Sequence, residues 1–390
     1  MKKSLMIVYA YYPEDERLRR QAEALINSGY NVSILCLKHP SEPKSEIVSG
    51  VNVIRLDMTS SRSNKSKYIL LYLTFFVRAF FKTVILFFKN KYDVVHIHNM
   101  PDFLVFLALV PKIFGTKVIL DLHDPSPEIF MAKFSARENS RMIKLLKWVE
   151  KISIRFAHSV ITTNKAFVDV FVARGCPADK INIVMNTPQE SIFSKSIEKK
   201  REKFDPEKFI VMYHGTIVER HGLDILARAA KILENKIPEL EVHVFGAGEF
   251  VENFLEEVER LEMKNKIKFH GRVSLDEIAE TIPEINVGVI PNRINPFTQL
   301  NLPIRTFEYL FYKKAVIVPR TRGIMDYFNE ESIFYFDAGK EADLAEVLMK
   351  AYSNPVKTSE VINKGYEVFQ KYRWENQSKE LLRVYASLLK

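Results

Sequence analysis

Arg305 and Glu308 stand three residues apart in Asn301-Leu-Pro-Ile-Arg-Thr-Phe-Glu308, where an apolar helix begins. That spacing puts both side chains on one helical face, at the end where the backbone dipole favours anions. A guanidinium so placed could grip a diphosphate, and the carboxylate a pair of ribose hydroxyls. The same spacing equally describes an ordinary ion pair at the surface. Pro303 suits a first helical turn, Phe307, Leu310 and Phe311 make a core-facing stripe, and 315–318 reads as a buried parallel strand.

A second anion-binding candidate is the loop Tyr213-His-Gly-Thr-Ile-Val-Glu-Arg-His-Gly222. Gly215 lets backbone N–H groups approach an anion closely, and Arg220 can pair with phosphate oxygens. It is neither a Walker loop nor a dinucleotide fingerprint. Glycine turns recur at Gly246 and Gly271, each of which alone would be an ordinary tight turn. Elsewhere, polar residues gather where strands should end, in His96-Ile-His-Asn99 and Asp121-Leu-His-Asp124. Period two places His96 and His98 on one face. These residues could begin a metal site, but no third ligand has suitable spacing.

The elements that must position these residues alternate strand and helix. Strands are expected at 5–10, 31–37, 51–56, 93–98, 117–122, 159–163 and 181–185, with helices at 17–28, 67–88, 103–114, 140–156 and 165–174. After an aperiodic Ser-, Lys- and Glu-rich stretch the pattern restarts. Its strands are at 209–214, 241–245, 267–270, 287–290 and 315–318, and its helices at 223–235, 250–262, 275–281, 304–312, 341–353 and 361–371. The expected fold is α/β, two doubly wound Rossmann-like domains facing across a cleft. The expected boundaries are 1–188, a linker at 189–206, a second domain at 207–372, and a last helix within 373–390.

A chain of 390 residues, 47% hydrophobic, fits two ordinary cores and excludes a disordered protein. The two cysteines, Cys36 and Cys176, form neither a disulfide framework nor a zinc spacing, so a reducing cytoplasm is expected. The apolar run at the N-terminus is too short for a signal peptide and reads as a first strand. Charge is lopsided: residues 1–200 hold 30 Lys and Arg against 18 Asp and Glu, and residues 201–390 hold 27 against 30.

The segments 215–224, 246–249 and 269–271, and above all Asn301-x-Pro-x-Arg305-x-x-Glu308-Tyr309, resemble the second domain of the retaining glycosyltransferase family four, with a GT-B fold. Tyr12-Pro-Glu-Asp-Glu-Arg17, Val95-His-Ile-His-Asn99 and Asp121-Leu-His-Asp124 match its first domain, and 374–389 looks like its final helix, crossing back to that domain. The resemblance implies transfer of a sugar from a nucleotide-diphosphate sugar, with a UDP-sugar favoured over a GDP-sugar and no cofactor or metal. Gly215, Thr216, Arg220, Gly246 and Arg305 would bind the donor diphosphate, Arg305 standing where the family usually has Lys. Glu308 would hold the ribose, and His123 would meet the donor sugar near the reacting carbon; these two are the implied catalytic residues. Asn295, Thr298, Gln299, Leu300 and Asn301 would form the donor-sugar loop, and Asp15, Arg17, His98 and Asn99 the acceptor side. The chain departs from the family pattern at three places. Leu300 stands where a first Glu is common, Thr216 where an Arg is common, and Tyr11-Tyr12 where a Gly-Gly turn is common.

The region 67–91 is apolar and basic, with no acidic residue from Met58 to Tyr92. It is long enough to span a bilayer, but Arg78 and Lys82 near its centre would each cost about 2.5–3.5 kcal/mol. Lys67, Thr74, Arg78, Lys82 and Lys89 are expected on one face of an amphipathic helix. In 137–155, Arg137, Arg141, Lys144, Lys147, Lys151 and Arg155 are expected on one stripe, opposite Leu145, Leu146, Val149 and Phe156. Both helices point to docking on an anionic membrane; no nucleic-acid motif accompanies the charge. The expected function is extension of a lipid-linked or cell-surface glycan at the inner face of the plasma membrane. A nucleotide-sugar epimerase of the same architecture, or a non-catalytic nucleotide-sugar-binding protein, is the alternative.

Overall fold

A computed structural model describes residues 1–59, 65–197, 204–205 and 207–390, and the side chains of all these except 65–69 and 196–197. Arg62, Lys65 and Lys67 of the basic region therefore lie outside the described side chains, as does much of the expected linker. The chain divides into two compact units: Met1–Asn186 with Glu375–Lys390, and Thr187–Trp374.

The first unit holds one eight-stranded sheet. Its strands are β1 (Lys3–Tyr11), β2 (Asn31–Leu37), β3 (Ser45–Val48), β4 (Val51–Leu56), β5 (Val94–His98), β6 (Lys117–Leu122), β7 (Ser159–Thr162) and β8 (Ile181–Ile183), in the order β3-β4-β2-β1-β5-β6-β7-β8. All pairs are parallel except β3 with β4. The order reverses between β1 and β5, and ligands of such sheets bind beyond the carboxyl ends of the strands at that point. The second unit holds β9 (Phe209–His214), β10 (Leu240–Phe245), β11 (Ile267–Gly271), β12 (Val287–Val289), β13 (Ala315–Pro319) and β14 (Phe334–Phe336), all parallel in the order β11-β10-β9-β12-β13-β14. Here the order reverses between β9 and β12. Val211, Tyr213, Val242, Val244 and Ile317 fill this core from the sheet, and Leu226, Ala230, Leu233, Leu344 and Leu348 from the helices that cover it.

The doubly wound α/β fold expected from the sequence is the one observed. Several elements differ. The stretch expected as linker contains a helix, Glu190–Ile197, because Phe193 is a buried anchor. Its ring packs on Phe311 and Tyr312, and its carbonyl accepts from the Tyr312 hydroxyl at 2.7 Å. The expected helix at 103–114 is a 3-10 turn, Asp102–Ala108, followed by a short α-helix, Leu109–Ile113. Pro111 has no N–H to give the carbonyl four residues back, so one continuous helix would lose a bond there. A helix at Ser126–Phe134 and the short edge strands β3 and β14 were not expected. Pro303 is the residue before the helix Ile304–Phe311, one place earlier than its expected first-turn position.

Two surfaces overturn the expected helical faces. On the helix Lys65–Asn90 the outward face is apolar as well as basic; Leu70, Leu73, Val77, Phe81, Ile85 and Phe88 are exposed alongside Arg78 and Lys89. On the helix Arg141–Phe156, Leu145 and Trp148 are exposed beside the basic residues, because Ile143, Glu150, Ser153 and Ile154 form the buried side instead. Buried Glu150 is tolerated there because Arg174 donates to both its oxygens, at 2.9 and 3.2 Å.

Candidate functional site

In the second unit the candidate residues converge on the carboxyl end of β9. Arg305, in the first turn of its helix, donates from one guanidinium nitrogen to the His214 carbonyl at 2.6 Å. Its guanidinium lies 4.6 Å above the Tyr213 ring, a stacking arrangement that a planar cation favours. Gly215 has φ of +124°, and a Cβ there would meet the Arg305 guanidinium at 3.0 Å. Glu308 is buried, with one oxygen 3.3 Å from His214 Nε2. Arg305 and Glu308 are therefore not a surface ion pair.

Three loops are tied together around this point. The Gly215 N–H donates to the Phe245 carbonyl, the Ile217 N–H to Ala247 and the Gly246 N–H to Gly271. A Cβ at Gly246 would sit 1.8 Å from the Gly215 carbonyl oxygen, and one at Gly248 would sit 2.0 Å from that of Ile217. The close approach needs glycine at both places. Tyr213 fixes the loop from below, its hydroxyl donating to the Thr216 carbonyl at 2.7 Å and lying 3.1 Å from His221 Nδ1. Thr216 itself is exposed.

Burial, and then the Arg305 charge, hold His214 well below the usual imidazole range. Burial and the charges of Arg305 and Arg220 bring His221 down to about 3, against an opposing contact with the Thr216 carbonyl. Both imidazoles are therefore neutral at physiological pH, and the positive charge here comes from guanidinium groups, with the Glu308 carboxylate beside His214.

The loop 292–302 lies alongside. Its Arg293 N–H donates to the Arg220 carbonyl at 2.9 Å, and its guanidinium grips Asp224, with one bond of 2.7 Å. Asn295 Oδ1 accepts from the N–H groups of Phe297 and Thr298, and the Thr298 hydroxyl accepts from the Asn295 N–H. Those two side chains hold the loop's own shape. The Gln299 carbonyl accepts from the Gly323 N–H at 3.0 Å, and a Cβ at Gly323 would lie 2.3 Å from the Leu300 carbonyl oxygen. Leu300 and Asn301 are half-buried beside it.

The first unit has its own polar cluster at the carboxyl ends of β5 and β6. Asp121, fully buried, is the hub. Its Oδ2 accepts from Gln21 Nε2 at 3.0 Å and lies 3.4 Å from His96 Nε2, 3.5 Å from His98 Nδ1 and 3.5 Å from His123 Nε2. His98 and His123 are themselves 3.3 Å apart. Asn99 Oδ1 accepts from the His123 N–H at 3.0 Å, while its amide donates to Asp102 and to the Asp124 carbonyl. Burial alone would raise the Asp121 pKa, but the surrounding imidazoles, His123 first, hold it below the usual carboxylate range. Burial lowers His123 to about 4 even though Asp121 opposes it. Asp15 caps the helix Glu16–Asn27 and takes a two-pronged contact from Arg17, at 3.2 and 2.9 Å. Both members of that pair act electrostatically on His123.

Sequence spacing offered no third metal ligand, yet His96, His98 and Asp121 bring ligand atoms within 4.8 Å of one another. The Asp121 Oδ2 atom, which lies nearest these imidazoles, also accepts from Gln21. Sequence reasoning missed Asp121 as the centre of this cluster, along with Gln21, His214, Tyr213, His221 and the Arg293–Asp224 pair. The alternation Asp121-x-His123, one face of a strand, could have pointed to Asp121. Nothing local points to Gln21.

Two doubly wound units, one with Arg305 set among glycine turns and a buried carboxylate beside it, have the architecture of a GT-B glycosyltransferase that uses a nucleotide sugar. Residues 15–187 match the family described as "Glycosyl transferase 4-like domain", and residues 194–368 match "Glycosyl transferases group 1". The chain belongs to glycosyltransferase family four. It is 26% identical over 377 residues to an uncharacterised glycosyltransferase of Methanocaldococcus jannaschii, covering 93% of this chain and 91% of that one. It is 29% identical over 305 residues to the chitobiosyldiphosphodolichol beta-mannosyltransferase of Candida albicans, covering 70% and 66%. Among solved structures, sucrose-phosphate synthase of Thermosynechococcus elongatus superposes with a TM-score of 0.80 at 18% identity, over 100% of this chain and 99% of that one. Anabaena HepE, in complex with UDP, superposes with a TM-score of 0.72 at 15% identity, over 99% and 100%.

Proposed function

We propose that this glycosyltransferase takes its sugar from a UDP-sugar and passes it, with retention of configuration and without a metal, to a lipid-linked glycan at the cytoplasmic side. The observation that carries the donor reading is Arg305. It is stacked on Tyr213 and anchored on the His214 carbonyl, with glycine backbone at Gly215 and buried Glu308 beside it. In this reading Arg305 and Arg220 hold the diphosphate and stabilise charge on the departing nucleotide, a role metals play elsewhere. Glu308 accepts from the ribose hydroxyls. His123, neutral and held by Asp121, donates or accepts a hydrogen bond at the sugar, and Asn295, Thr298, Gln299, Leu300 and Asn301 shape the sugar's surroundings mainly through backbone. Asp15, Arg17, His98 and Asn99 face the acceptor. The Candida relative is named for a diphosphodolichol acceptor, which supports the lipid-linked class. That name also specifies a β-mannosyl product, so the anomeric outcome is what product analysis should establish first.

The test is calorimetric titration with UDP-, GDP- and ADP-sugars in the presence of a chelator. UDP-sugars are expected to bind, and Arg305→Ala to weaken them by about tenfold or more while the protein remains folded. Unchanged affinity in that variant, or binding that requires added metal, would overturn the assignment.

A further inference from the structure

Along the helix Lys65–Asn90, Leu70, Leu73, Val77, Phe81, Ile85 and Phe88 are 51–64% exposed. They recur at steps of three and four, so they form one continuous stripe. The hydroxyl lying within it, that of Thr74, donates back to the Leu70 carbonyl at 2.8 Å. The stripe thus offers water almost nothing to bond. Beyond Phe88 it continues onto Phe114, whose ring centroid is 5.6 Å away, and Ile113, both exposed. Scattered exposed apolar residues need no explanation, but a row of this length does.

Leu70–Asn90 is long and apolar enough to cross a membrane. Its other face, however, is part of the unit's own core. Phe75, Ala79 and Thr83 are fully buried, Phe75 meets Tyr9 at 5.0 Å and Phe76 meets Phe103 at 5.6 Å. A span would have to strip this helix from the sheet beneath it. The helix can lie in a membrane interface, but it cannot cross one while the unit stays folded.

The charges around the stripe choose its occupant. No acidic residue occurs between Asp57 and Asp93. Lys82 and Lys89 fall on one flank of the stripe at helical spacing, with Lys91 just past its end, and Arg78 is drawn aside to the Asp57 carbonyl at 3.0 Å. A second copy docking through the same face would set these basic flanks against each other. An anionic lipid surface satisfies both the apolar row and its basic edge.

We propose that this face lies in the interfacial plane of an anionic bilayer, with the stripe inserted to the acyl boundary and Lys82, Lys89 and Lys91 at the headgroups. The site stands on residues separate from those assigned to the sugar donor, so either reading can fail alone. The test is sedimentation of the full chain with vesicles of phosphatidylcholine and phosphatidylglycerol, without donor or acceptor. The wild type is expected to bind and to keep most of its binding in high salt, because insertion is not screened. Val77→Glu with Phe81→Glu should lower the bound fraction by about tenfold with an unchanged melting temperature. Phe81→Trp should show a blue-shifted emission when vesicles are added. Absence of vesicle binding by the wild type, or binding untouched by the double substitution, would overturn the proposal. So would a wild-type dimer that the double substitution converts to a monomer, since the face would then belong to a second copy.

Discussion

Arg305 is fixed by one hydrogen bond and one ring, so its guanidinium needs little reordering when an anion arrives. Lysine could supply the charge but not the planar stacking. Arg305→Lys should therefore retain part of the nucleotide affinity that Arg305→Ala loses, which the same titration would measure. The buried imidazoles of the two units make a second prediction. His221 is held down to about 3 and His123 to about 4, and His214 and His98 are also depressed. The unfolded chain takes up these protons below about pH 6.5 while the fold refuses them. Their contribution is thus complete above that pH and is lost as pH falls toward 4. Asp121 and Asp15, held below the carboxylate range, lose theirs only at still lower pH. Glu150, pushed up to about 8 by burial, acts in the opposite sense across the same window, so the comparison must be with a variant. His221→Gln should flatten the decline of unfolding free energy between pH 6.5 and 4 by at most about 1.4 kcal/mol per pH unit. Urea denaturation across that range would reject the assignment if the two proteins ran parallel.

The helix Ile304–Phe311 can deliver its side chains to the end of β9 because of a glycine one strand away. A Cβ at Gly288 of β12 would meet the Tyr309 ring at 2.2 Å. Without it, buried Tyr309 lies against the sheet and donates to the Met212 carbonyl of β9 at 3.1 Å. Gly288→Ala should therefore displace the whole helix, costing about 1–3 kcal/mol and weakening nucleotide binding together with stability. Chemical denaturation and titration at wild-type levels would sink that account. The helix itself was legible, since its apolar period and its return to 315–318 are local properties of the sequence. So were the strands 31–37, 51–56, 117–122 and 209–214, whose apolar runs end in polar or glycine punctuation. The edges were not, because β3 buries too little, and β14 with its three residues is too short, to carry a pattern. The outward face of the helix Lys65–Asn90 was misread because hydrophobic residues encircle it. Only tertiary packing decides which of them, Phe75 or Phe81, meets the core.

The charge asymmetry and the repeated architecture were visible in the composition and order of elements, but the closure of the first unit was not. The chain leaves that unit after Asn186 and returns at Glu375. Where it returns, Gln377 accepts from the Met185 N–H at 2.8 Å. On the other side Glu190 accepts from the Trp374 N–H at 3.1 Å and from Arg373. The last helix, Trp374–Leu388, then carries Tyr385 into the core. The hydroxyl of Tyr385 lies 3.0 Å from both Ser4 Oγ and His96 Nδ1. No periodicity could pair residues 289 positions apart; the family resemblance alone indicated that this helix returns. The contact links the final helix through His96 to Asp121, and so to His123. Tyr385→Phe would leave two buried polar groups without this partner, a loss of about 1–3 kcal/mol confined to the first unit. Hydrogen exchange should then quicken in β1 and β5 and remain unchanged in β9 to β13. Uniform quickening across both sheets, or none in either, would mean that Tyr385 does not hold the first unit in this way.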